Sequence, residues 1–220
     1  NTVMNGVTIT NRYTERQRSG KRLTVEKGGA VYVRTGSIAL FNTLITDTAA
    51  EQGAAIYINE ESTTAKATIV NSTIVNNMSQ SSDPDAGAAI VATRGSLTIH
   101  NTLVVGTELE TGEFAQDVYV GSNRNVDVRS SIVERSETLA PALAAVGSGS
   151  GAFVGTTTND LTAAVDDLFV DADNGNFELN NSTLATNAGV NAYLSQNTIN
   201  TTFDSLDRSG APRIYYTTID

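Results

Sequence analysis

Apolar and polar residues alternate in short bursts along this chain, and the bursts recur at a nearly fixed interval. Ile38-Ala39-Leu40-Phe41-Asn42-Thr43-Leu44-Ile45 returns as Ala67-Thr68-Ile69-Val70-Asn71-Ser72-Thr73-Ile74 and as Leu97-Thr98-Ile99-His100-Asn101-Thr102-Leu103-Val104. Val126-Asp127-Val128-Arg129-Ser130-Ser131-Ile132-Val133 continues the series. The steps from Asn42 to Asn71, Asn101 and Ser130 are 29, 30 and 29 residues. Period-two alternation puts Ile38 and Leu40, Ala67 and Ile69, Leu97 and Ile99, and Val126 and Val128 on one strand face. Ala39, Thr68, Thr98 and Asp127 lie between them and are expected to face water. Ile45, Ile74, Val104 and Val133 form a second aliphatic column beyond the bend.

A further strand precedes each of these segments: Gly29-Ala30-Val31-Tyr32-Val33, Ala54-Ala55-Ile56-Tyr57-Ile58, Ala88-Ala89-Ile90-Val91-Ala92 and Gln116-Asp117-Val118-Tyr119-Val120. A repeat of this length, made of strands, cannot bury its apolar face alone and does so by stacking on its neighbours. Three short strands per turn predict an all-β chain, a right-handed single-stranded parallel β-helix of the pectate-lyase-like kind. Equivalent residues then stack about 4.8 Å apart. Residues 1–139 are assigned to the coils, 140–164 to a Gly/Ser/Ala-rich loop, and 165–220 to a C-terminal module that packs on the solenoid or caps it. The chain opens within a strand pattern, Thr2 to Ile9, so it is expected to be part of a longer precursor or surface assembly.

The composition sharpens this picture. Charged residues make up 17% of the chain, with a net charge of −10 and no cysteine. Ser, Thr, Asn and Gly suit the turns and strands of an extracellular β protein. The acidic balance argues against nucleic acid as a partner, because phosphate binding draws on clustered Lys and Arg. Arg12, Arg16, Arg18, Lys21 and Arg22 come nearest to a cluster, diluted by Glu15 and Glu26. Without cysteine there is no disulfide frame and no thiolate metal site. No apolar run reaches the 18 residues of a membrane-spanning helix, so a transmembrane chain is not expected.

Asn42, Asn71 and Asn101 are assigned a structural role. Asn tolerates the left-handed backbone that a bend between strands requires, and stacked amides bond along a column. Gly6 fits the equivalent place in the first coil. Tyr32, Tyr57 and Tyr119, with Val91, fall in an outward column, and regularly spaced rings can stack on sugar faces or pack beneath loops. They are the candidate binding residues. The insertions Tyr13 to Lys27, Glu60 to Thr64, Ser79 to Ala86 and Glu108 to Ala115 project from the coils, where specificity usually resides. Two are acidic, around Asp83-Pro84-Asp85 and Glu108 to Glu113, but neither has the spacing of a calcium loop. Asp171-Ala172-Asp173-Asn174-Gly175 also falls short of one, and reads as a turn. No cofactor or metal ligand set is assigned.

His100, the single histidine, has no glycine neighbours and is read as a surface residue, in an outward column with Phe41, Val70 and Arg129. Asp127 and Arg129 beside it are the convergent acid and base candidates on neighbouring coils, suited to an ion pair or to a site. The adjacent pair Asp166-Asp167 lies in the tail. No catalytic residue is assigned.

The stretch Leu168-Phe169-Val170-Asp171-Ala172-Asp173-Asn174-Gly175-Asn176-Phe177-Glu178-Leu179, with Ser182 to Gly189 and Leu206 to Arg213, resembles the ending of bacterial choice-of-anchor Q domain proteins. Gly53-Ala54-Ala55-Ile56 more loosely resembles the repeats of polymorphic outer-membrane proteins. These resemblances imply export to the surface of a Gram-negative bacterium, outside the cell, and anchoring by a separate sorting module. The reading is therefore a non-enzymatic surface β-helix, an adhesin, stalk or glycan-contacting scaffold that meets polysaccharide or a host or cell-surface ligand. Its alternative is a portion of a secreted polysaccharide lyase or glycoside hydrolase built on a parallel β-helix, since that fold hosts both.

Overall fold

The computed structural model describes residues 1–11, 25–58, 64–83, 85–121, 125–139, 153–154, 168–180, 214–215 and 218–219. The basic stretch from Arg12 to Arg22, the Gly/Ser-rich run around Gly147 to Gly151, Asp166-Asp167, and the resemblance segments after Asn180 lie outside the described residues, as does most of the insertion from Glu60 to Thr64.

The alternating segments form parallel sheets that run along a solenoid. The first sheet stacks β1 (Thr2–Asn5), β4 (Ser37–Phe41), β8 (Lys66–Val70), β12 (Ser96–His100) and β16 (Asn125–Arg129) in that order. The second stacks β2 (Thr8–Thr10), β5 (Leu44–Thr46), β9 (Thr73–Val75), β13 (Leu103–Val105), β17 (Ile132–Val133) and β18 (Phe153–Val154). The third stacks β3 (Val31–Val33), β7 (Ile56–Ile58), β11 (Ile90–Ala92) and β15 (Val118–Val120). Every pairing within these sheets is parallel and in the register of the repeat: Leu40 lies beside Ile69, and Ile69 beside Ile99. The chain is a parallel β-helix.

One element departs from the three-strand coil. A fourth, two-residue strand turns the corner between the second and third sheets: β6 (Ala49–Ala50), β10 (Met78–Ser79) and β14 (Glu108–Leu109), again parallel. Two residues are too few for alternation to register, which is why the pattern does not announce it.

The core runs down the middle. Leu40, Ile45, Ile56, Ile69, Ile74 and Ile99 are fully or almost fully buried in one continuous cluster with their counterparts in each coil. Small residues let the backbone approach itself elsewhere. At Gly95 a Cβ would collide with the Ala65 carbonyl of the preceding coil, and φ is +87°.

A second cluster lies on the outside. Leu44, Val75, Val105 and Ile132 point away from the core on the second sheet, and Leu168 and Phe169 cover them. These two residues belong to a hairpin, β19 (Phe169–Asp171) paired antiparallel with β20 (Asn176–Leu179). Its turn is Ala172 to Gly175, with Gly175 left-handed at φ 80° and its N–H donating to the Ala172 carbonyl at 3.0 Å. Both Asp171 carboxylate oxygens accept from the Asn174 side-chain amide at 2.9 Å. The Asp/Asn-rich segment is thus the turn of a hairpin that lies against the solenoid. A further short antiparallel pair joins β21 (Ile214–Tyr215) and β22 (Thr218–Ile219).

Candidate functional site

Between the first and second sheets the chain turns through one left-handed residue per coil: Gly6, Asn42, Asn71, Asn101 and Ser130, with φ between 45° and 67°. The Asn42 amide donates to Asn5 Oδ1 at 2.8 Å and the Asn101 amide to Asn71 Oδ1 at 3.0 Å. A second left-handed column follows the second sheet, at Asp47, Asn76 and Gly106.

After Gly6, which Val7 follows, the residue behind each first bend carries a hydroxyl, and these hydroxyls form a ladder that sequence reasoning missed. Each caps a carbonyl two residues back in its own coil. Thr43 donates to the Phe41 carbonyl at 3.0 Å, Ser72 to Val70 at 2.9 Å, Thr102 to His100 at 2.8 Å and Ser131 to Arg129 at 2.8 Å. The oxygens of Ser72, Thr102 and Ser131 also accept backbone N–H groups from the preceding coil: Thr43 N to Ser72, Ser72 N to Thr102, Thr102 N to Ser131. The signal was present, because Ser or Thr follows the bend residue in all four copies.

The tyrosine column is not an open row of rings. Tyr57 is fully buried, packed with Ala88 and Val91 and flanked by the half-buried Tyr119. Tyr32 is 45% exposed and meets Tyr57 edge-on, with ring centroids 5.6 Å apart. The Lys27 ammonium sits 5.1 Å from the Tyr57 ring centroid. Of the three candidate binding rings, Tyr32 alone offers a broad face to solvent, braced from behind by Tyr57.

His100 is corrected from a surface to a buried residue: it is 4% exposed, and Phe41 and Val70 in the same column are buried as well. Alternation places this column outside the coil but does not reveal what covers it. The structure does bring His100, Asp127 and Arg129 together. Asp127 Oδ2 lies 3.2 Å from His100 Nε2, and Arg129 Nε donates to Asp127 Oδ1 at 2.7 Å. Burial pulls the imidazole below its ordinary value, outweighing the Asp127 carboxylate that pulls it up. Both ring nitrogens are buried, so the imidazole faces its carboxylate neighbour rather than a solvent-side substrate.

A third polar cluster was not anticipated. Asp117 stands one residue before β15, at the core position that Ala55 and Ala89 hold in earlier coils, and it is completely buried. Its Oδ1 accepts the Thr107 N–H at 3.2 Å and the Thr107 hydroxyl at 2.6 Å; its Oδ2 accepts the Arg135 N–H at 2.9 Å. Glu134, also buried, accepts the Gly106 N–H at 2.8 Å and pairs with the Arg135 guanidinium. That guanidinium lies 3.6 Å over the Phe114 ring. Burial first, and then the Glu134 carboxylate, push Asp117 up to about 8.

The acidic loops place their polar atoms in local turns. Asp83 Oδ1 accepts the Asp85 N–H at 2.9 Å and Ser81 Oγ accepts that of Asp83 at 3.0 Å. Burial, with Asp83 and Glu137 nearby, raises Asp85. Among the described residues no group of three His, Asp or Glu side chains converges as a metal site, and no helix is long and apolar enough to cross a membrane. Comparison with protein-family models, curated proteins and solved structures gives no match to this chain.

Proposed function

We propose that this chain is a non-enzymatic β-helical scaffold, a stalk or adhesin, on the surface of a Gram-negative bacterium. The observation that carries the reading is where its polar columns point. The bend amides and the hydroxyls of Ser72, Thr102 and Ser131 bond adjacent coils to one another, so they stiffen a rod. The one acid–imidazole pair has its imidazole buried. The choice-of-anchor Q-like wording of Leu168 to Leu179 supports export and anchoring.

Tyr32 is the residue best placed to touch a polysaccharide. An exposed ring held edge-on by a buried one loses little freedom on stacking against a sugar face. The test is a glycan array probed with the chain, run beside a turnover assay on acidic and neutral polysaccharides. Binding without new reducing ends or unsaturated products, weakened by Tyr32→Ala, is the expected result. Turnover of any of them would overturn the scaffold reading in favour of a lyase or hydrolase.

A further inference from the structure

The Asp117 cluster holds two buried carboxyl groups and one guanidinium. Asp117, Glu134 and Arg135 are each at most 9% exposed, and no bulk water is available to dilute a second negative charge. Such a site balances when one carboxyl carries a proton, and is one charge in excess when neither does.

The cluster also joins parts of the chain that are distant in sequence. Two coils earlier the same position holds Thr48, and the next coil's Asn77 serves it. Asn77 Oδ1 accepts the Thr48 N–H at 3.1 Å, and the Thr48 hydroxyl lies between that oxygen, at 2.8 Å, and the Ala54 carbonyl of its own coil, at 2.7 Å. After Thr107 the next coil offers Ser136 instead, whose hydroxyl is turned to the Val118 carbonyl. Asp117 supplies the missing acceptor from within the same coil. It thereby ties the corner at Gly106 and Thr107 to the end of the next coil at Arg135, which returns the contact through its carbonyl to the Asp117 N–H at 2.8 Å.

We infer that Asp117, Glu134 and Arg135 form a proton-operated latch, which holds the 106–117 corner against residues 134–136 while the site keeps its proton and lets the corner open as that proton leaves. The groups that face Asp117 are Thr107, the Glu134 carboxylate, and the guanidinium and backbone of Arg135. Asp117 sits at about 8 when the corner is closed, and an exposed carboxyl near 3.8 when it is open. Closure is therefore strongest in acid. It weakens about tenfold per pH unit as pH rises from the open value towards the closed one, and levels off above it.

Amide exchange on the whole chain at pH 5, 6, 7 and 8, corrected for the intrinsic rate of exchange, tests this. Protection of the Gly106, Thr107 and Arg135 amides should fall about tenfold per unit. Ala54 and Ala55, bonded between earlier coils, should keep theirs. Asp117→Asn, which keeps an acceptor for Thr107 and cannot ionise, should flatten the slope. Glu134→Gln removes the like charge and should bring the plateau to a lower pH. If either variant fails to fold, the wild-type slopes alone decide. Flat protection at Gly106, Thr107 and Arg135, or the same slope at Ala54 and Ala55, would overturn the latch.

Discussion

The side-chain amide of Asn101 donates to Asn71 Oδ1 at 3.0 Å, and both residues hold φ near 50°. The column thus does two separable jobs: it supplies a left-handed bend and a bond between coils. Asn71→Gly keeps the bend and loses the bond, for a cost of about 1 kcal/mol. Asn71→Ala loses both, and the left-handed backbone adds about 1–2 kcal/mol. Urea midpoints should rank wild type above Gly and Gly above Ala; an Ala variant as stable as the Gly variant would contradict the bend.

Ser72 carries the hydroxyl ladder between Thr43 and Thr102. Ser72→Ala leaves the buried Thr43 N–H without its acceptor, a penalty of about 1–3 kcal/mol. Ser72→Thr restores the residue type found at positions 43 and 102 and should stay within about 0.5 kcal/mol of wild type. Denaturant unfolding of the pair checks this, and equal losses would contradict the ladder.

His100 sets the acid side of the stability profile. Its folded value lies below the ordinary 6.5, so the fold favours the neutral ring. That contribution is complete above 6.5 and is lost as pH falls through the lower folded value. Thermal midpoints should decline on acidification below 6.5 more steeply in wild type than in His100→Gln. Identical profiles would remove the histidine from the account.

The outer hairpin rests on Phe169, which is buried and meets Phe177 edge-on at 5.5 Å. Phe169→Ala should cost about 3–5 kcal/mol of docking. Proteolysis is then expected to cut within residues 168–180 first and to leave the coils intact. Unchanged resistance of the hairpin would contradict its packing on the second sheet.

The columns of the coil were legible because both of their signals are local. Alternation over five residues assigns Leu40, Ile69 and Ile99 to the core, and Asn or Gly marks the bend. What escaped depends on matter added from elsewhere. Phe41, Val70 and His100 point away from the core yet are buried, and nothing in their own segment encodes a cover. Tyr57 is closed over in the same way while Tyr32, one coil earlier, stays open. Asp117 is a carboxyl where earlier coils place alanine, a signal the sequence reading passed over, and its partners Thr107, Glu134 and Arg135 come together only through the winding of the chain. The fourth strand at Ala49–Ala50 is too short to alternate.

Register between coils tests the account most directly. Nuclear Overhauser contacts from Ile69 should reach both Leu40 and Ile99, its neighbours 29 and 30 residues away in the parallel first sheet. Contacts from Ile69 confined to residues close to it in sequence, as an antiparallel hairpin would give, would contradict the stacked solenoid and everything built on it.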